Sequence, residues 1–189
     1  MEFESLVRKN RSIRRFYQNN KISKKALFSL VNLARLSPSA GNLQPLRYKL
    51  SNSTKTNNLI FPTLNWANYL REWSGPKIGE RPAAYIIILA DPTISKFVAY
   101  DCGIASQSIT LGAASIGLGA CNIASINKDV LRKSLSISVV YEILLVIALG
   151  KPREKIILEE AKLSYFKYFR DNKDNHHVPK GQLKEIIID

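Results

Sequence analysis

The chain has 189 residues, 46% of them hydrophobic and 23% charged, with a net charge of +13 and two cysteines. That length and apolar content describe one globular domain over 1–189, large enough to bury a full core. No internal repeat or low-complexity linker interrupts it, and residues 1–10 (MEFESLVRKN) lack the apolar run of a signal peptide. Residues 5–71 contain no Asp or Glu but thirteen Lys or Arg. Such a half-chain offers anion sites for a phosphate-bearing cofactor, a nucleic acid or an anionic membrane, the plainer account being a solubility charge. Cys102 and Cys121 have no metal-ligand spacing and read as free buried thiols in a reducing cytoplasm.

Taken in order, residues 1–8 read as a short helix, interrupted by NRSIRRF at 10–16. Ser23 is a fitting N-cap for a second helix, where Ala26, Leu27, Leu30, Val31 and Ala34 recur on one face. That helix ends before Pro38. The turn SPSAGNLQP, 37–45, is rich in residues that favour tight backbone, and its Ser39, Asn42 and Gln44 need polar partners. PLRYKLS then reads as a strand. The aromatic stretch at 61–76 fits a short helix or a lid, and AAYIIILAD, 83–91, fits a strand buried on both faces.

A long helix is expected over 96–118, with small residues at 99, 103, 106, 110 and 113 forming a smooth stripe for another helix. Residues 102–127 carry no charge, but the density of Ser, Thr and Gly argues for a buried helix over a membrane span. ACNIAS reads as a strand, NKDVLRKSL as a helix capped by Asn127, and VYEILLVIALG as a core strand. The apolar run that closes the chain suits an edge strand. Without strict alternation of strand and helix, α+β is favoured over a doubly wound sheet.

GLGAC, 117–121, ends a helix and opens a strand, the reverse of a dinucleotide-binding loop, so it is a glycine helix stop. His176 and His177 are adjacent and point apart on any regular element, which favours a surface pair over a metal site. NRSIRRF is more informative. It sets three arginines and a serine together without an acid, the donor set a phosphate dianion takes. Strand-like alternation would separate Arg11 and Arg15 from Ser12 and Arg14.

NRSIRRF, SPSAGNLQP, GIASQSITLGAASIGLG and ALGKP, in this order, resemble the nitroreductase family of FMN-dependent NAD(P)H oxidoreductases. The resemblance implies an α+β three-layer sandwich, a mostly antiparallel central sheet flanked by helices, in an intertwined homodimer. It implies that Arg11, Ser12 and Lys180 hold the FMN phosphate. Arg14 would face N1 and O2 of the flavin, and Asn122, Ile123, Ala124 and Ser125 would form the strand end whose backbone N–H faces N5. Pro38, Ser39 and Asn42, with Gln44 nearby, would line the ring held mainly by the other subunit. The implied reaction is ping-pong hydride transfer from NAD(P)H through N5 to a nitroaromatic, quinone or related electron-poor acceptor, in the cytoplasm, with no metal, nucleic acid or membrane partner.

Asn10 and Gly181 depart from the family pattern, where arginines are common, and each removes a charge from the phosphate pocket. Trp66, Tyr69 and Trp73 offer a cover for the open face, ordinary packing being the simpler account. The rival class is a basic nucleic-acid-binding module, supported by aromatics interleaved among the first-half cations. A third reading keeps fold and FMN with another flavin reaction, dehalogenation or flavin cleavage.

Overall fold

The computed structural model describes residues 2–161 and 165–188. The chain runs α1 (Phe3–Lys9), β1 (Phe16–Tyr17), α2 (Lys24–Leu36), β2 (Leu46–Ser51), α3 (Thr54–Ile60), β3 (Ala84–Ala90), α4 (Val98–Ser115), β4 (Gly119–Ile123) and α5 (Lys128–Leu135). It continues through β5 (Glu142–Pro152), β6 (Ile156–Glu160), β7 (Phe169–Arg170), β8 (His176–Lys180) and α6 (Leu183–Ile186). The main sheet is antiparallel throughout. β5 pairs with β3, β4 and β1, and β2 pairs with β3.

β3 explains the three layers. Every one of its residues is buried, as its uninterrupted apolar run requires. Alternation sends Tyr85, Ile87 and Leu89 into one core with Ile60, Leu131 and Leu135, beneath α3 and α5. Ile86 and Ile88 enter the other core with Leu27, Leu30 and Ile109, beneath α2 and α4. Each fully buried aliphatic side chain stabilises by roughly 1.5–3 kcal/mol relative to exposure, so β3 anchors both helical layers. The expected caps are present: Ser23 Oγ accepts from Ala26 N at 3.1 Å, and Asn127 Oδ1 from Val130 N at 3.1 Å.

Three expectations change. The small-residue stripe divides, because Ala99 and Gly103 are exposed whereas Ser106, Thr110 and Ala113 are buried. The close approach of α2 to α4 occurs instead at Gly112, where a Cβ would lie 2.2 Å from Leu33 Cδ1. The stretch 61–76 is a short 3-10 turn, Phe61–Thr63, followed by loop. Trp66 in that loop is buried and packs edge-on to Trp73. The terminal apolar run is no strand: Glu185 N bonds Gln182 O at 2.9 Å, the chain turns into α6, and Ile186, Ile187 and Ile188 stay exposed.

A second sheet sets β8 between β6, parallel to it, and β7, antiparallel. NRSIRRF runs along the free edge of β4, where Ser12 bridges Ala120 and Ile13 N donates to Ala120 O at 2.9 Å. Gly119 permits that approach, since a Cβ there would lie 2.7 Å from Ile13 Cγ1 and 2.8 Å from Ile13 Cβ. Ile13 is itself buried and tied by its backbone, so it has little room to yield. Gly119→Ala is therefore expected to destabilise by about 1–3 kcal/mol through overpacking. Thermal denaturation checks this, with a Tm lower by about 2–4 °C per kcal/mol at this chain length.

Candidate functional site

A cavity of about 300 Å³ opens where the first segment, α4, β4 and the second sheet meet. Arg11, Ser12 and Arg14 enter from one side, Asn122 from β4, and Gln107 and Thr110 from α4. Tyr168, His176, Val178 and Lys180 close the other side. The last three alternate along β8, so the period of two aims them together. Among the described residues no Asp or Glu lines this cavity.

Arg11 joins Ser12 and Arg14, against simple alternation. The chain leaves α1 at Asn10, and Arg11 Nη2 folds back to donate to Val7 O at 2.7 Å. Its Nε is buried without a partner among the described residues, and burial lowers the guanidinium pKa. Asn10 is no gap in this wall, because its Nδ2 donates to Thr110 Oγ1 at 2.9 Å and pins the segment to α4.

Behind the cavity lies Glu154, whose side chain has no exposed surface. Its carboxylate accepts the backbone N–H of Arg14 and that of Arg15, the latter at 3.2 Å, and Arg170 Nη2 at 3.1 Å. Arg15 Nε lies 3.5 Å from it, and Asp174 pairs with both Arg15 and Arg170. These two acids offset two arginines. Among the described residues Arg11, Arg14 and Lys180 take part in no ion pair.

The two histidines separate sharply. His176 is buried, not the surface residue its sequence suggests, because β8 is the central strand of its sheet. Burial, then the charges of Arg14, Arg170, Arg15 and His177, push its pKa down to about 4. His177, on the opposite face, bonds Glu159 and lies 3.2 Å from Asp171 Oδ2, and those bonds raise its pKa.

A second cavity, of about 280 Å³, shares no residue with the first. Pro38, Ser39 and Gln44 line it with Tyr48, Asp101 and Ala105. Here the polar turn finds partners within its own chain. Buried Asp101 accepts Ser39 Oγ at 3.0 Å and Ala40 N at 2.8 Å, while Ser39 Oγ accepts Gln44 N at 3.0 Å. The sequence resemblance places the same turn beside the flavin held mainly by a second chain. The turn bends through positive φ at Gly41 (57°), Asn42 (55°) and Gln44 (50°), a conformation costly for the last two and held by these bonds.

The sequence model described as Nitroreductase family matches residues 7–151. The chain belongs to the nitroreductase family. A curated relative from Archaeoglobus fulgidus, provisionally named NADH dehydrogenase/NAD(P)H nitroreductase, is 26% identical over 164 residues, 82% of this chain and 88% of the relative. The fold is shared with a nitroreductase family protein of Streptococcus pneumoniae TIGR4 at a TM-score of 0.71 and 17% identity, over 100% of both chains. It is shared too with an FMN-dependent nitroreductase of Clostridium difficile R20291, at a TM-score of 0.67 and 21% identity, over 90% of this chain and 99% of that one.

Of the residues expected from the nitroreductase resemblance, the first cavity gathers Arg11, Ser12, Arg14, Asn122 and Lys180. The others lie elsewhere. Ile123 points into the core and Ala124 is exposed. Ser125 is tied to Asn65, its O accepting Asn65 N at 3.0 Å and its Oγ accepting Asn65 Nδ2 at 3.1 Å. Asn42 is exposed and its Oδ1 accepts from Gln44 Nε2 at 3.2 Å. Sequence reasoning missed Gln107, Thr110, Tyr168 and His176. The signal for His176 was present: reading HHVPK as a strand places it on the face of Lys180.

An NMR titration is expected to find His176 neutral down to about pH 4 and His177 charged above the ordinary histidine range. A histidine whose folded pKa is depressed withdraws stability as pH falls from the ordinary value of about 6.5 toward the folded one, because the unfolded chain takes up the proton first. The raised pKa of His177 acts oppositely, its stabilisation being lost as pH rises through the folded value. Two imidazoles titrating together would contradict this geometry.

Proposed function

We propose that the protein is an FMN-dependent NAD(P)H oxidoreductase and that the first cavity receives the phosphate of FMN. The observation that carries this reading is the acid-free convergence of Arg11, Ser12, Arg14 and Lys180 from opposite ends of the chain. Three uncancelled cations, a hydroxyl and the orphaned Nε of Arg11 fit a dianion chemically. The same placement weighs against a nucleic-acid-binding module, because Arg11 and Arg14 are half-buried in a concave site and form no exposed stripe.

Bound FMN would supply ping-pong hydride transfer at N5, taking electrons from NAD(P)H and passing them to a nitroaromatic, quinone or related electron-poor acceptor. The chain's own part is to bind and orient. Arg11, Ser12 and Lys180 hold the phosphate. Arg14 sets a fixed positive charge where the ring gathers negative charge on reduction, which favours the reduced form. The β4 end, Asn122 to Ser125, would turn a backbone N–H toward the reacting edge, with Asn122 bordering the first cavity. No side chain is needed as general acid or base, since solvent supplies protons.

The two cavities bear on assembly. Pro38, Ser39 and Gln44 line a cavity that shares no residue with the one holding Arg11, Ser12 and Lys180, which supports a flavin site shared between two chains. In a homodimer each chain would lend this turn to the other's site. Both cysteines are free and buried, which supports a reducing cytoplasm.

The purified protein is expected to be yellow, with a flavin absorption spectrum and stoichiometric FMN. Lys180→Ala is expected to weaken FMN binding roughly ten- to a hundredfold, the loss of a charged hydrogen-bond partner. Riboflavin, which lacks the phosphate, should be unaffected. Equal weakening of both in fluorescence titrations would remove Lys180 from the phosphate site. Sedimentation is expected to find a dimer; a monomer that binds FMN stoichiometrically would contradict the shared site.

A further inference from the structure

Arg14 differs from its neighbours in how it is held. Arg15 and Arg170 are fixed by carboxylates, Glu154 and Asp174. The Arg14 guanidinium is fixed by uncharged groups. Its Nη1 lies 3.0 Å from His176 Nε2 and 3.4 Å from Ser12 O, and its Cζ stands 4.5 Å from the centre of the Tyr168 ring. Tyr168 also packs on His176, with ring centres 5.2 Å apart. An arginine can only donate, so Nε2 accepts and the imidazole proton sits on Nδ1.

We infer that His176 is a positioning residue: as a neutral acceptor it aims Arg14 into the cavity without cancelling its charge. A carboxylate in the same place would hold the guanidinium as firmly but neutralise it, as Glu154 and Asp174 do for Arg15 and Arg170. Neutral imidazole separates the two tasks of holding and cancelling. The charged groups near His176 are Arg14, Arg15 and Arg170, with His177 next to it on the opposite face of β8, and every one opposes its protonation. Tyr168 covers it, so its neutral form persists through the physiological range. Lys180, on the same face of β8, and Arg11 border the same cavity and add positive field. The consequence for FMN rests on the reading proposed above, in which Arg14 favours the reduced ring.

The test compares His176→Gln, which keeps an acceptor near the Nε2 position, with His176→Leu, which has none, and His176→Glu, which accepts but cancels charge. The readout is the ratio of affinities for reduced and oxidised FMN in the full-length protein, measured by anaerobic titration. H176Q should keep the wild-type ratio. H176L should lower it roughly tenfold, the loss of a hydrogen bond to a charged group. H176E should lower it too, although Arg14 stays held. A purely structural role would let H176E and H176Q behave alike.

A second measurement needs no flavin. In the ligand-free protein, imidazole nitrogen shifts should report the Nδ1–H tautomer, and Arg14→Leu should erase that preference and raise the His176 titration. A wild-type ratio in H176L, or a proton on Nε2 in the wild type, would overturn the inference. If the wild type binds no FMN, the proposed function fails instead, while the tautomer measurement still judges the contact between His176 and Arg14.

Discussion

Glu154 sits with its side chain wholly out of solvent, at the turn between the strand that ends the main sheet and the strand that opens the second. A carboxylate there is costly unless charge and hydrogen bonds surround it. Backbone N–H groups of Arg14 and Arg15 and the guanidinium of Arg170 do so. These partners come from the first segment of the chain and from β7, so one buried charge joins three regions far apart in sequence. Breaking such a pair costs about 3–5 kcal/mol. The cavity walls depend on that junction, because Arg14 leaves the backbone where Glu154 grips it.

The same junction decides which cations remain available. Fifteen acids against twenty-eight basic residues guarantee an excess of positive charge, but not its location. Glu154 and Asp174 absorb Arg15 and Arg170, and the acids stay behind the cavity wall. Arg11, Arg14 and Lys180 are left facing inward. A site so arranged is charged where a ligand would sit and neutral where the fold is held together. The acid-free first half of the sequence thus becomes a directed field and not only a solvated surface.

Much of this was legible in the sequence, for physical reasons. The apolar run at 84–90 has only one environment, a strand buried on both faces, and β3 occupies it. Ser23 and Asn127 stand before periodic helices and cap them, because orphan N–H groups there need an acceptor. Arg11, Ser12 and Lys180 could be placed together only through the family resemblance, since nothing local ties residue 11 to residue 180. What stayed hidden depended on tertiary context. Adjacent histidines look equivalent until a strand aims one inward. Asp101 looks like an ordinary acid near a helix start, yet it is the buried acceptor that shapes the turn around Ser39. The terminal isoleucines look like a strand, but within this chain Ile186 ends a short helix and Ile187 and Ile188 follow it.

The central claim is that chain ends meet to hold one dianion while a separate turn serves a second copy. A crystal structure of the protein with bound FMN tests it most directly. The account predicts the phosphate against Arg11, Ser12 and Lys180, and the ring against Arg14 of the same chain and the turn at 38–44 of another. A phosphate in any other cavity, or a flavin enclosed by a single chain, would contradict it.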